Sequence, residues 1–144
     1  MTWHEYLMGF AQHAATKSKD STKVGAVLVK DRVVLCAGFN GPPRGVRDSA
    51  DRFERPKKYL YATHAEMNVI TTAAREGVKT EGCDLYVTHA PCSACARLII
   101  QSGIERVIVG DGQTSMPAEE FEAARVMFDE AQVVFVKRGE DGGL

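Results

Sequence analysis

The sequence lacks the features that mark membrane, secreted and general nucleic-acid-binding proteins. No apolar run approaches the ~20 residues that a membrane-spanning helix needs. The N-terminus lacks the basic start and apolar stretch of a secretory signal. The formal net charge is only −1, whereas a general nucleic-acid binder usually carries a basic excess. We therefore expect a protein that has no membrane partner and no nucleic-acid partner.

Cysteine is scarce as well, with four among 144 residues. Two disulfides are conceivable, but Cys92 and Cys95 have the Cys-x-x-Cys spacing typical of metal ligands. Cys36 and Cys83 stand in strand-like contexts, where cysteine behaves as a small apolar residue. This usage favours a reducing environment, and we therefore expect a cytoplasmic protein.

The remaining composition is that of an ordinary globular protein, with 44% hydrophobic and 26% charged residues. The length suits one domain with one sizeable core. We expect a single domain over residues 1–144, with 139–144 as a flexible tail.

Periodicity predicts four helices and five strands. The β-branched runs 24–30 and 33–39, separated by Asp31-Arg32, predict an antiparallel hairpin. Later strands alternate with helices, which implies crossovers and parallel pairing. The prediction is a three-layer α/β/α fold with a five-stranded mixed sheet and helices on both faces. Its helices are placed at 3–18, from Thr63 to about Arg75, from Pro91 to Gly103 and at 118–130, and its later strands at 84–89, 106–109 and 133–136.

Three local features refine this prediction. Two prolines and three glycines between Gly38 and Gly45 predict an irregular loop that continues to about Tyr61, and such long loops are often functional. Thr63 is predicted as a helix N-cap, with Glu66 at the third helical position in a capping box. Pro91 is predicted to open the next helix, where its missing N–H costs little.

The chemistry is concentrated in His64-Ala65-Glu66 and Pro91-Cys92-Ser93-Ala94-Cys95. One imidazole and two thiolates form a three-ligand set typical of catalytic zinc, which keeps its fourth position for water. Glu66 lies two residues beyond His64, so it can reach that water and act as a proton shuttle. This is the pattern of zinc nucleobase deaminases. The alternative, a structural zinc site, normally needs a fourth protein ligand, and His89 is the nearest candidate.

Around these motifs, the chain resembles the deoxycytidylate (dCMP) deaminases of the cytidine deaminase-like superfamily over most of residues 3–136. The zinc motif alone specifies only the superfamily. Gly38-Phe39-Asn40-Gly41 and Met67-Asn68 point to the dCMP branch. Further matching segments are Trp3-His4-Glu5-Tyr6, Ser18-Lys19-Asp20, Lys58-Tyr59-Leu60-Tyr61, Leu85-Tyr86-Val87-Thr88 and Ile99-Ile100-Gln101-Ser102-Gly103-Ile104.

The resemblance implies hydrolytic deamination of dCMP to dUMP and ammonia, which supplies dUMP for thymidylate synthesis. It implies zinc on His64, Cys92 and Cys95, with Glu66 as the catalytic proton shuttle. It also implies contacts of Asn40 with the sugar and of the Ala65 backbone N–H with the pyrimidine carbonyl. Further candidates for the substrate end are Lys19, Lys23 and Tyr61.

The resemblance extends to regulation. Members of the family are commonly hexamers that dCTP activates and dTTP inhibits, often with Mg²⁺ on the effector. The loop from Asn40 to Arg47 resembles part of that effector region, and guanidinium groups suit phosphates. Phe39 stands where many relatives have Tyr, so any hydroxyl contact is lost. The candidate effector residues are Phe39, Gly41, Arg44 and Arg47.

Other functions remain open at this point. The chain could deaminate another cytosine nucleotide or nucleoside, such as dCTP, 5-modified dCMP or cytidine. A tRNA adenosine deaminase shares the zinc motif, but the net charge and the Gly-Phe-Asn-Gly loop argue against it. A catalytically silent binding module would have no need of Glu66.

Overall fold

The structure is a computed structural model that describes residues 1–137. The predicted tail, 139–144, lies outside the described residues. The helices are α1 (Trp3–Ala15), α2 (Lys58–Tyr61), α3 (Ala65–Glu76), α4 (Ser93–Gln101) and α5 (Ala118–Glu130). The strands are β1 (Gly25–Lys30), β2 (Val33–Phe39), β3 (Asp84–His89), β4 (Arg106–Gly112) and β5 (Val134–Lys137).

The five strands form one mixed sheet in the order β2-β1-β3-β4-β5. Strand β1 pairs antiparallel with both β2 and β3. Strands β3, β4 and β5 are mutually parallel. The predicted hairpin and the parallel pairing after it are therefore confirmed. Asp31 and Arg32 both adopt positive φ, as the type I′ turn of a two-residue hairpin requires.

Both faces of the sheet are covered, which confirms the three-layer prediction. Side chains alternate along a strand, so Val27 and Val29 face α1, whereas Ala26 and Leu28 pack with α3, α4 and α5. All four are buried. A central strand covered on both sides reads as a continuous apolar run, and this explains why β1 shows no polar alternation.

Several predicted boundaries were wrong. Helix α1 ends at Ala15 rather than near residue 18, because the following turn folds inward. Ser18 is buried, and its hydroxyl donates to the carbonyl oxygen of Asn40 at 2.9 Å. The long loop is not wholly irregular, since it contains a 3-10 helix at Ala50–Phe53 and then α2.

The longest helices have 13 residues. Over residues 1–137, no helix combines the length and the apolar character required to span a bilayer.

Candidate active site

Two helix N-termini bring the predicted metal ligands together. His64 is the N-cap of α3 and Cys92 is the N-cap of α4, both with extended backbone. His64 Nδ1 lies 3.2 Å from Cys95 Sγ and 3.5 Å from Cys92 Sγ. The three ligand atoms lie within 4.8 Å of one another. The predicted convergence of these side chains is therefore present in the structure.

These helix starts differ in detail from the prediction. Glu66 occupies the second position of α3, not the third, and Thr63 is not the cap. Thr63 is instead held extended by a two-way bridge, its N–H donating to Gly41 O at 2.7 Å and its carbonyl accepting from Gly41 N at 3.1 Å. Pro91 likewise precedes α4 rather than opening it. The capping-box and Pro91 predictions were therefore wrong.

The donor set fits zinc. Zinc bonds of about 2.0–2.3 Å to nitrogen and sulfur place tetrahedral ligand atoms under 4 Å apart, close to the distances of His64 Nδ1 from the two sulfurs. The pKa of Cys92 is lowered to about 4 by its hydrogen bond with Cys95, while that bond and burial raise the pKa of Cys95. A bound cation would hold both sulfurs as thiolates, because cysteine ligands must be deprotonated to bind a metal.

No fourth protein ligand joins this cluster within residues 1–137. His89, the candidate named from the sequence, is a cavity wall residue. Its Nδ1 lies 2.7 Å from Thr88 Oγ1, and burial lowers the pKa of its ring. A three-ligand site with an open position is the arrangement of catalytic rather than structural zinc.

Glu66 adjoins the cluster without belonging to it. Its side chain is only 4% exposed, and burial raises its pKa to about 7. A carboxyl group with a pKa near the working pH is suited to both accepting and returning a proton. Glu66 lines the same cavity as His64 and Cys92, so it faces the space in which a substrate would lie.

That cavity has a volume of about 300 Å³, at the lower end of the range for small-molecule sites. Its inner end is lined by Glu66 and by two of the metal ligands, His64 and Cys92. Tyr59, 65% exposed, lies at its open rim. Other rim residues come from the segment 114–117 between β4 and α5. The site is therefore assembled from segments far apart in the chain.

Two of the predicted substrate-binding residues line this cavity, Asn40 and Ala65. Asn40 Oδ1 accepts from Val24 N at 3.0 Å, and its Nδ2 donates to Thr22 O at 2.8 Å. These bonds fix the amide and leave one N–H free for a ligand. Ala65 is the first residue of α3, where backbone N–H groups have no partner within the helix.

The other three predicted substrate residues do not line the cavity. Lys19 is exposed and pairs with Asp48 at 2.7 Å. Lys23 donates to the carbonyl oxygen of Ser18 at 2.8 Å. The ring of Tyr61 lies 4.2 Å beneath the guanidinium of Arg52. Their placement gives no support to a role in substrate binding.

The candidate effector residues also lie outside the cavity lining. Phe39 is the last residue of β2, and the other three lie in the loop that follows it. The carbonyl oxygen of Arg47 accepts from Arg52 Nη1 at 2.8 Å. Three hydrogen bonds attach this segment to α3 and to Thr63, which directly precedes the helix N-cap. Asn68 Nδ2 donates to Phe39 O (2.6 Å), Gly41 N to Thr63 O (3.1 Å) and Arg44 Nη2 to Thr72 Oγ1 (2.8 Å).

Sequence reasoning missed the ion pair that forms part of the cavity wall. Lys58 Nζ lies 3.1 Å from Asp20 Oδ1, and both residues are buried. Arg55 and the segment 114–117 were missed too. The clustered basic and aromatic residues near Lys58 were the only local signal. The segment 114–117 carries no local sequence signal. It lies at the site because β4, which precedes it, pairs with β3.

Glu120, on α5, stabilises the start of α4. Its Oε1 accepts from Ser93 N at 3.2 Å and from Ser93 Oγ at 3.0 Å. The carboxylate thereby satisfies an orphan N–H of the first turn, directly after the ligand Cys92. Its charge also contributes to the raised pKa of His64, after the larger effect of the hydrogen bond with Cys92.

We expect Glu120→Ala to weaken zinc affinity by about tenfold, because partners that orient metal ligands typically contribute 10–100-fold. Competition with a chelator of known affinity measures the change. Glu119→Ala is the matched control, since Glu119 is exposed on the same turn. Equal zinc affinity in the two variants would contradict the role given to Glu120.

The fold and the site together define a zinc-dependent deaminase of the α/β/α class. The family described as "cytidine and deoxycytidylate deaminase zinc-binding region" matches residues 1–111. The chain belongs to this family.

Relatives and solved structures agree with that assignment. A deaminase encoded in the luxG 3′ region of Aliivibrio fischeri is 44% identical over 136 residues, which is 91% of this chain and 90% of that protein. The deoxycytidylate deaminase of Homo sapiens is 38% identical over 145 residues, covering 95% and 80%. The dCMP deaminase of the cyanophage S-TIM5, in complex with dCMP and dUMP, superposes with a TM-score of 0.76 at 26% identity, covering 92% and 94%.

Proposed function

We propose that this protein is a zinc-dependent hydrolase that converts dCMP to dUMP and ammonia and so supplies dUMP for thymidylate synthesis. The observation that carries the proposal is a single cavity lined by the buried residue Glu66 and by two members of the His64–Cys92–Cys95 cluster, His64 and Cys92. The similarity to the human deoxycytidylate deaminase and to the phage dCMP deaminase supports dCMP as the substrate.

The reaction replaces the exocyclic C4–N bond of cytosine with a C4–O bond. His64, Cys92 and Cys95 would hold a zinc ion, which would supply an activated water as the nucleophile at neutral pH. Glu66 accepts a proton from the water and donates it to ring nitrogen N3. Once the C4–O bond has formed, Glu66 takes the remaining proton from the new C4 hydroxyl group and delivers it to the amino group. The C4–N bond then breaks, so that one water is consumed and one ammonia is released.

The chain's other residues position the ring. The N–H of Ala65 is directed by the start of α3, where the helix dipole favours an electronegative group, and we assign it to the pyrimidine carbonyl at C2. The fixed amide of Asn40 presents its free N–H to the sugar. Burial of Glu66 keeps bulk water from competing for its proton.

We further propose the finer properties that the family resemblance implies. These are a single domain over residues 1–144, a cytoplasmic location, a homohexamer, and effector control by dCTP and dTTP with Mg²⁺ on the bound triphosphate. The position of Arg44 supports a separate effector site, because its exposed guanidinium lies outside the cavity lining. A nucleotide could therefore bind there without displacing the substrate.

The test is ammonia release from dCMP by purified, zinc-loaded protein, with and without dCTP and dTTP. We expect turnover that rises with dCTP and falls with dTTP. Turnover that neither nucleotide changes would support the proposed deamination and contradict the proposed effector control. The absence of dCMP turnover would contradict the proposal and favour cytidine, dCTP, 5-modified dCMP or a tRNA adenosine instead.

A further inference from the structure

The cavity changes character between its two ends. At the metal end, Glu66 and Cys92 are buried. At the open end lie the exposed residues Arg55 and Ser115, with Thr114 half-buried beside them. A substrate whose base reaches Glu66 must therefore direct its remaining atoms toward this rim.

The rim carries a positive charge that the protein does not neutralise. Of the lysine and arginine side chains in the lining, Lys58 is paired with the buried carboxylate of Asp20. Arg55 has no carboxylate partner within residues 1–137. Its Nη2 donates to Ser115 Oγ at 2.6 Å, and the other donors of its guanidinium fork remain available.

Two hydroxyl groups add donors at the same place. Ser115 Oγ accepts the bond from Arg55, so its own hydrogen is free to donate. Thr114 Oγ1 accepts from Met116 N at 3.3 Å, which leaves its hydrogen free as well. A guanidinium beside two hydroxyl donors suits a tetrahedral oxyanion, because charge-assisted bidentate contacts are the strongest of these hydrogen bonds.

The backbone around Arg55 is also anchored. Lys58 N donates to Glu54 O at 2.8 Å, closing a turn around Arg55. The Lys58 side chain is fixed by its buried bond to Asp20. The base of the Arg55 side chain is thus held next to a rigid part of the cavity wall.

We propose that Arg55, with the hydroxyls of Thr114 and Ser115, binds the 5′-phosphate of the substrate and makes the enzyme specific for a nucleoside monophosphate over the free nucleoside. This inference rests on the proposed function. It assigns the discrimination to the cavity rim and not to Lys19 or Lys23, which lie outside the lining.

The experiment compares dCMP with deoxycytidine for the wild-type protein and for Arg55→Gln. We expect the KM for dCMP to rise about 10- to 100-fold, as for a lost charge-assisted contact, with kcat nearly unchanged. The kcat/KM for deoxycytidine should stay the same. Arg55→Lys should give an intermediate KM, because it keeps the charge and loses the fork. Lys57→Gln is the matched control, since Lys57 pairs with Asp51 outside the cavity.

The outcomes separate the two proposals. A wild-type protein that is inactive on dCMP would overturn the proposed function itself. An active wild type with an unchanged dCMP KM in Arg55→Gln would overturn this inference alone, as would equal losses on both substrates. If Arg55→Gln fails to fold, dCMP and deoxycytidine are compared in the same way with Arg55→Lys and Ser115→Ala. Inhibition by dUMP, compared with inhibition by deoxyuridine, provides an independent measure of binding.

Discussion

Replacing Glu66 with Gln is expected to lower kcat for dCMP at least about 100-fold, the lower end of what a general acid–base group contributes. The amide has nearly the same shape but cannot accept a proton and return it. Because Glu66 is not among the clustered metal ligands, zinc content should stay near one equivalent. Steady-state kinetics and metal analysis on the same preparation measure both quantities.

Glu76→Gln is the control for this experiment. Glu76 lies at the other end of the same helix, α3, and is exposed. It should retain wild-type turnover, since it undergoes the same chemical change at a distance from the cavity. Near-normal turnover in Glu66→Gln would refute the proton-shuttle mechanism, whereas parallel zinc loss would place Glu66 in metal binding.

The layers of the fold were predictable because each one leaves a local periodic signal. Alternation of helices and strands implies crossovers, and the hairpin signal at Asp31-Arg32 sets the direction of β2. The order of the strands could not be predicted in this way, because β3 pairs with β1 across a long separation in sequence. No local pattern distinguishes that edge of β1 from a solvent-facing one.

The metal site was predictable for a related reason. The site consists of one histidine and two cysteines, His64, Cys92 and Cys95, which are typical zinc ligands. Their spacing relative to the predicted helix starts further restricts the possible kinds of metal site. The capping prediction failed because a contact with a residue distant in the sequence determines where α3 begins. The bridge between Gly41 and Thr63 moves the start of α3 to Ala65, and a capping pattern read within a few residues cannot include it.

The phosphate end was not predictable, because ordinary charged residues form it. In the sequence, Lys19 and Arg55 are equally plausible cations in polar segments. In the structure, Lys19 is neutralised by Asp48, while Arg55 reaches Ser115, 60 residues away. Which cation faces the cavity depends on partners that only the folded chain brings together.

Replacing Cys92 with Ala is expected to remove zinc and to destabilise the protein by several kcal/mol. Only His64 and Cys95 would remain, too few for a zinc site that normally keeps three protein ligands. A ligand present at 1,000 times its Kd stabilises the folded state by about 4 kcal/mol, and this contribution disappears with the metal. Metal analysis and thermal unfolding, each in excess zinc, measure the two losses.

The control must separate metal loss from the loss of a buried sulfur. Cys36 is buried on β2, away from the metal cluster, so Cys36→Ala should keep its zinc and lose only packing energy. Chelation supplies the second comparison. If zinc accounts for the stability difference, a chelator should lower the Tm of the wild type and of Cys36→Ala but leave that of Cys92→Ala unchanged. A Cys92→Ala protein that still bound zinc and melted like the wild type would contradict the ligand assignment. A Cys92→Ala protein that lost zinc with no fall in Tm would instead show that the apolar core holds these helix starts in place without the metal.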